Sequence, residues 1–185
     1  MTTRIVSTGV SSGNVVRGAI VGLVGGLLAA GVMSVAHRIL SDLDPKAEAP
    51  SPKAEDPTVK VARAATGLAG FTLAEHQKPR AGAAVHYAFG AVVGAVYGAV
   101  AEIAPIVTTA FGVPFGIGVW FGAHVVAVPA MGLSDPPTRQ PVAKEAEEFG
   151  LHVVYGAVTE LVRRKLWPYL DGSCSAWSSE SSRSS

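Results

Sequence analysis

Two stretches of the chain carry ionisable side chains at intervals of four residues within otherwise apolar sequence. One reads His86, Gly90, Gly94, Gly98, Glu102, and the other Glu148, His152, Gly156, Glu160, Arg164. Residues four apart on a helix share one strip, so each set lines an imidazole and a carboxylate along a single face. A third imidazole, His124, falls in an uncharged run between them. Imidazoles and carboxylates together can relay protons, hold a cation or receive a polar headgroup. His86, Glu102, His124, His152 and Glu160 are therefore the candidate polar interior. The structural alternative gives each histidine a single hydrogen bond across a helix pair and sets Glu102 and Glu160 at headgroup depth beside Arg163 or Arg164. Three histidines and a glutamate could also bind zinc, but the spacing matches no zinc motif. No catalytic residue, metal or cofactor is assigned.

The elements that must carry these groups follow from the distribution of charge. Of 185 residues, 49% are hydrophobic and only 16% charged, and four long tracts hold almost none of the charge. Apolar blocks separated by wet connections predict an all-α integral membrane bundle of about four transmembrane helices. After a flank at 1–16, the first span occupies 17–38 between Arg17 and Arg38. A cleaved signal peptide is the competing reading of that run, which is long for a signal core. Residues 39–80 form a polar loop with Pro45, Pro50, Pro52 and Pro57 in its first half. Its second half, 58–73, spaces Val61, Ala65, Leu68 and Ala69 as a helix would, lying at the membrane interface or simply solvated.

The region 81–168 is expected to hold three further spans: 81–101, stopped by Pro105; 111–128; and 149–167, interrupted by Glu160. Beyond the last, Arg163, Arg164 and Lys165 can snorkel to headgroups, and Trp167 with Tyr169 suits an interfacial belt. That basic cluster places both termini on the cytoplasmic side. The segment from Pro129 through Met131 and Leu133 to Pro136 and Pro137 marks an abrupt exit from the third span, either lining a cavity or turning at the surface. The serine-rich tail, 169–185, is expected to be disordered, and its Cys174 is the chain's single cysteine, which excludes an internal disulfide.

Gly18, Gly22 and Gly26 recur every four residues in the first span, and Gly90, Gly94 and Gly98 do so in the second. Apolar burial does not draw helices together in lipid, so small-residue stripes that allow close backbone approach are expected packing surfaces. Their partner is either within the chain or in a second copy. The expected partners are thus the bilayer and a homo-oligomer, while a net charge of +1 excludes nucleic acid. Tyr97-Gly98-Ala99-Val100-Ala101-Glu102-Ile103 is similar to Tyr155-Gly156-Ala157-Val158-Thr159-Glu160-Leu161. That similarity raises a two-helix unit used twice, although the first and third spans show no comparable match.

The order His86, Glu102 and Pro105, then His124 with Pro129-Ala130-Met131-Gly132-Leu133 and Pro136-Pro137, then Glu148-Phe149-Gly150, His152, Glu160 and Arg163-Arg164, resembles the YagU-like family of bacterial inner-membrane proteins. The likeness covers about 82–166. It implies a multi-pass protein of the cell inner membrane linked to acid tolerance, with no settled activity and no catalytic residues to carry over. Three functions are then open: a non-enzymatic bundle acting in acid-stress or envelope physiology through its polar interior, a membrane assembly or lipid-organising component, and a membrane-embedded metalloenzyme.

Overall fold

The computed structural model describes residues 12–43 and 55–170. The segments 1–11, 44–54 and 171–185 lie outside the described residues, and with them Pro45, Pro50, Pro52, Cys174 and nearly all of the serine-rich tail. Every regular element described is helical. Helix α1 is Ser12–Leu43, α2 Pro57–Leu68, α3 Lys78–Ile103, α4 Val113–Val119, α5 the single turn Val128–Ala130, and α6 Val142–Leu170. The π-helix Trp120–Ala127 joins α4 to α5 and makes them one rod.

Each long helix overruns the charged residues that bound its apolar tract. The first extends through Arg17 and Arg38, and α6 starts seven residues before the expected 149. Helical hydrogen bonding continues wherever neighbouring residues tolerate it, and Arg or Lys stems can lie along an apolar surface while their heads reach water. Hydropathy therefore marks what can sit in hydrocarbon, not where a helix stops. Conversely α2 ends at Leu68, short of 73. Gly70 adopts φ +80° there, and Phe71 N–H donates to the Thr66 carbonyl at 2.9 Å, with Gly70 N–H to Gly67 at 3.0 Å. Those paired bonds around a left-handed glycine form a Schellman cap.

The same cap closes the third rod. Gly132 takes φ +68°, Leu133 N–H donates to Val128 at 3.0 Å and Gly132 N–H to Pro129 at 2.9 Å. The Pro129–Leu133 exit is thus a capped helix end. Upstream of it, Val128 N–H reaches Ala123, five residues back. Pro129 has no N–H and its ring would crowd the preceding turn, and a widened π turn relieves both problems.

Among the described residues, three segments are long and apolar enough to cross a membrane: Ser12–Leu43, Glu75–Ile103 and Pro105–Ala130. Helix α6 is not among them. The four rods nonetheless pack up-down-up-down, with α1 against α3 and α6, and α4 against α6. Large apolar side chains point out of this bundle, including Ile20, Leu27 and Leu28 on α1, Phe89, Val92 and Val96 on α3, and Phe121 on the π-helix. An exterior this apolar fits hydrocarbon as the surrounding medium.

Candidate functional site

The helices meet on glycine. A Cβ added to Gly22 would strike the Gly94 carbonyl oxygen and lie 2.9 Å from Gly98 Cα. Gly18 abuts Gly98 in the same way, and Gly26 abuts Gly90. The stripes on α1 and α3 therefore face one another inside the chain, running antiparallel. A second contact of the same kind joins α4 to α6, where Gly112 and Gly116 face Gly156. Aligning Gly98 with Gly156 aligns Gly18 and Gly22 with Gly112 and Gly116. The counterpart of the first span is thus a glycine pair at one spacing, too short to register as sequence similarity.

Close backbone approach draws polar side chains into the interior at two levels. At one end Glu160 is fully buried. Its Oε2 accepts from Tyr97 Oη at 2.8 Å and from Arg163 Nε at 2.7 Å, while Oε1 accepts from Arg164 Nε at 2.6 Å and Arg163 Nη2 at 3.1 Å. Arg163 Nη1 also reaches Glu102 Oε1 at 3.3 Å. Arg164 donates to the Thr108 carbonyl at 3.1 Å and lies 4.6 Å over the Phe111 ring. Two carboxylates and two guanidiniums balance in charge, and each guanidinium reaches at least two acceptors. That is what a charged cluster in a low-dielectric interior requires.

The turn before α4 is shaped to close this cluster. Ala110 and Phe111 take φ +48° and +55°, followed by Gly112 at +78°. Left-handed backbone costs a non-glycine residue roughly 1–2 kcal/mol. Here it places Phe111 beneath Arg164 and lets Gly112 meet the Gly156 carbonyl.

The histidines occupy the opposite end. His86 lies 16 residues before Glu102 on α3, about 24 Å along the axis. His124 Nε2 sits 3.2 Å from Glu145 Oε2, and its ring lies 6.2 Å from that of His152. His152 Nδ1 donates to the Glu148 carbonyl at 2.7 Å, and His86 Nε2 lies 3.4 Å from the Ala30 carbonyl. A further contact, His37 Nδ1 to Glu147 Oε1 at 3.1 Å, ties α1 to the start of α6. Of the five candidate residues, then, Glu102 and Glu160 share one cluster, His124 and His152 are neighbours in another, and His86 has its own backbone partner. Among the described residues, no three His, Cys, Asp or Glu side chains are placed to hold a metal ion.

Several participants are absent from the sequence-derived set. Tyr97 could have been found, because it and Tyr155 hold matching positions in the two similar heptapeptides. Tyr155 Oη donates to the Gly90 carbonyl at 2.6 Å. Glu145 carries no local signal, since its partner His124 lies across the connection between the third rod and α6. Trp120, whose Nε1 is buried without a hydrogen-bond partner in the structure, stacks on His124 at 6.5 Å.

A membrane-compatible helical bundle with two interior polar clusters is the class these features define. The family model described as "Protein of unknown function (DUF1440)" matches residues 47–161, more than half of the chain, and the chain belongs to that family. The match takes in α2 and runs to the centre of the Glu160 cluster, leaving α1 outside. No curated protein and no solved structure matches the chain.

Proposed function

We propose that the chain is a non-enzymatic, multi-pass protein of the bacterial inner membrane, a four-span bundle packed on its glycine stripes, whose His/Glu-lined interior serves acid-stress or envelope physiology. The four-span reading rests on α6 packing against both α1 and α4. Its buried charges are matched within the protein. The similarity to YagU-like proteins supports both the compartment and a link to acid stress.

The observation that carries this reading is the pair of imidazole–carboxylate contacts at the start of α6, His124 to Glu145 and His37 to Glu147. They seat α6 against the third rod and against α1, and the groups facing His124 are Glu145 and His152, both on α6.

Thermal unfolding of the full chain in micelles tests this reading. His124→Ala with His37→Ala is expected to lower the melting temperature, because both contacts that seat the start of α6 are removed. A melting temperature identical in wild type and double variant rejects it. The second reading is a membrane assembly or lipid-organising scaffold, favoured by the intrachain pairing of Glu160 with two arginines. It requires glycine substitutions to outweigh all histidine substitutions.

A further inference from the structure

Beside the start of α3 is an open cleft of about 600 Å³ lined by Thr66, Phe71, Thr72, Leu73, Gln77 and Arg80. Its charge is one-sided. Lys78, two residues away, is held by Glu55 at 3.0 Å and Glu75 at 2.8 Å. Arg80 makes no hydrogen bond or ion pair among the described residues. Gln77 uses its Oε1 on the Ala74 amide at 3.0 Å, which leaves its amide N–H groups for another acceptor. Arg80 also sits in the first turn of a 26-residue helix, where the dipole favours an anion.

The rim of this cleft is apolar and turned outward. Leu68 is 92% exposed and Phe71 71%, on either side of the capped turn that ends α2. Helix α2 is fixed to α3 nearby, because Gly82 lies against Val59 and Thr58. The tip and the cleft thus stand at the mouth of a segment long and apolar enough to cross a membrane. An aromatic and an aliphatic side chain held out beside an uncompensated guanidinium match the two layers of a bilayer surface, acyl chain and phosphate. A free anion would leave Leu68 and Phe71 in water.

We propose that this cleft binds the phosphate headgroup of an anionic phospholipid, with Arg80 and the Gln77 amide on the phosphate and Leu68 and Phe71 among the acyl chains. This assignment rests on the membrane reading above. It makes α2 an interfacial element anchored by one bound lipid.

The test is native mass spectrometry of the full chain in detergent, titrated with phosphatidylglycerol or phosphatidylcholine. Wild type is expected to retain phosphatidylglycerol about fivefold better than phosphatidylcholine, and Arg80→Gln to lose most of that preference. Lys144→Gln, which removes an exposed cation elsewhere on the surface, is expected to keep it. Equal retention of the two lipids by wild type overturns the site without relying on any variant's folding. So does an equal loss in Arg80→Gln and Lys144→Gln, or displacement of the lipid by millimolar inorganic phosphate. Extraction of the wild-type chain from membranes by alkaline carbonate would instead remove the membrane reading itself, a failure separable from the lipid result.

Discussion

The Tyr97 hydroxyl donates to Glu160 Oε2 at 2.8 Å across 63 residues of sequence, joining the end of α3 to the end of α6 inside the bundle. Both belong to the similar heptapeptides, so one heptapeptide supplies the donor and the other the acceptor. Tyr155, the second tyrosine, is spent on the Gly90 carbonyl. The matching tyrosines of the two heptapeptides are thus put to different uses.

Removing the acceptor should be far worse than removing the donor. Glu160→Leu leaves the largely covered Arg163 without its main partner and is expected to cost about 3–5 kcal/mol. Tyr97→Phe forfeits one hydrogen bond and is expected to cost about 0.6 kcal/mol, typical of such bonds in membrane bundles. Thermal unfolding in micelles followed by circular dichroism measures both. Comparable losses in the two variants would show that Glu160 does not hold the arginines.

Glycine positions of identical chemistry should divide sharply by contact. A Cβ on Gly94 meets Gly22 and Gly26 backbone, which has no side chain to swing away, so Gly94→Leu is expected to abolish the folded, monodisperse protein. Gly118 and Gly122 have nothing within 4 Å of such a Cβ, and Gly118→Leu is expected to purify like wild type. Size-exclusion profiles in detergent separate the outcomes.

Two left-handed glycines separate backbone strain from crowding. Gly132→Ala meets open space and is expected to cost only the conformational term, about 1 kcal/mol. Gly112→Ala carries the same term and also drives a Cβ against the Gly156 carbonyl and to 2.8 Å from Glu160 Cβ, so its loss is expected to be several times larger. Melting temperatures in one detergent make the comparison.

The α2–α3 junction should loosen in strong acid. The Lys78 ammonium, with Arg63 beside it, holds the Glu55 carboxyl below its ordinary range. Glu55 is therefore more acidic in the folded protein than in the unfolded chain, so its contribution is complete above the unfolded value and disappears as pH falls through the folded one. Hydrogen exchange of α2 amides is expected to quicken at such pH in wild type, and to be pH-insensitive there in Glu55→Gln once the intrinsic rate is divided out.

Much of the architecture was legible in the chain because it rests on local rules. Runs such as 18–37 are long and uncharged enough to signal helices at home in hydrocarbon, and the four-residue spacing of His86 through Glu102 states which residues share a strip. The heptapeptide similarity exposed Tyr97 and Tyr155 as equivalent. Even the exit after Pro129 announced itself through proline and glycine. Helix ends were not legible, since Arg17, Arg38 and Glu145 sit comfortably in helical backbone that hydropathy cannot see.

What pairs with what required the tertiary structure. A stripe such as Gly18, Gly22, Gly26 states that something comes close, while the choice of Gly98, Gly94 and Gly90 as its partner depends on antiparallel register between residues 64 to 80 positions apart. The same holds for the polar residues: of five side chains on one list, Glu102 joins Glu160, His124 neighbours His152, and His86 stands apart, about 24 Å from Glu102 on a rigid rod. Local sequence fixes a helix and its faces through backbone geometry a few residues in range. Which faces meet is decided by contacts between residues far apart in the chain, and those exist only once the rods have packed.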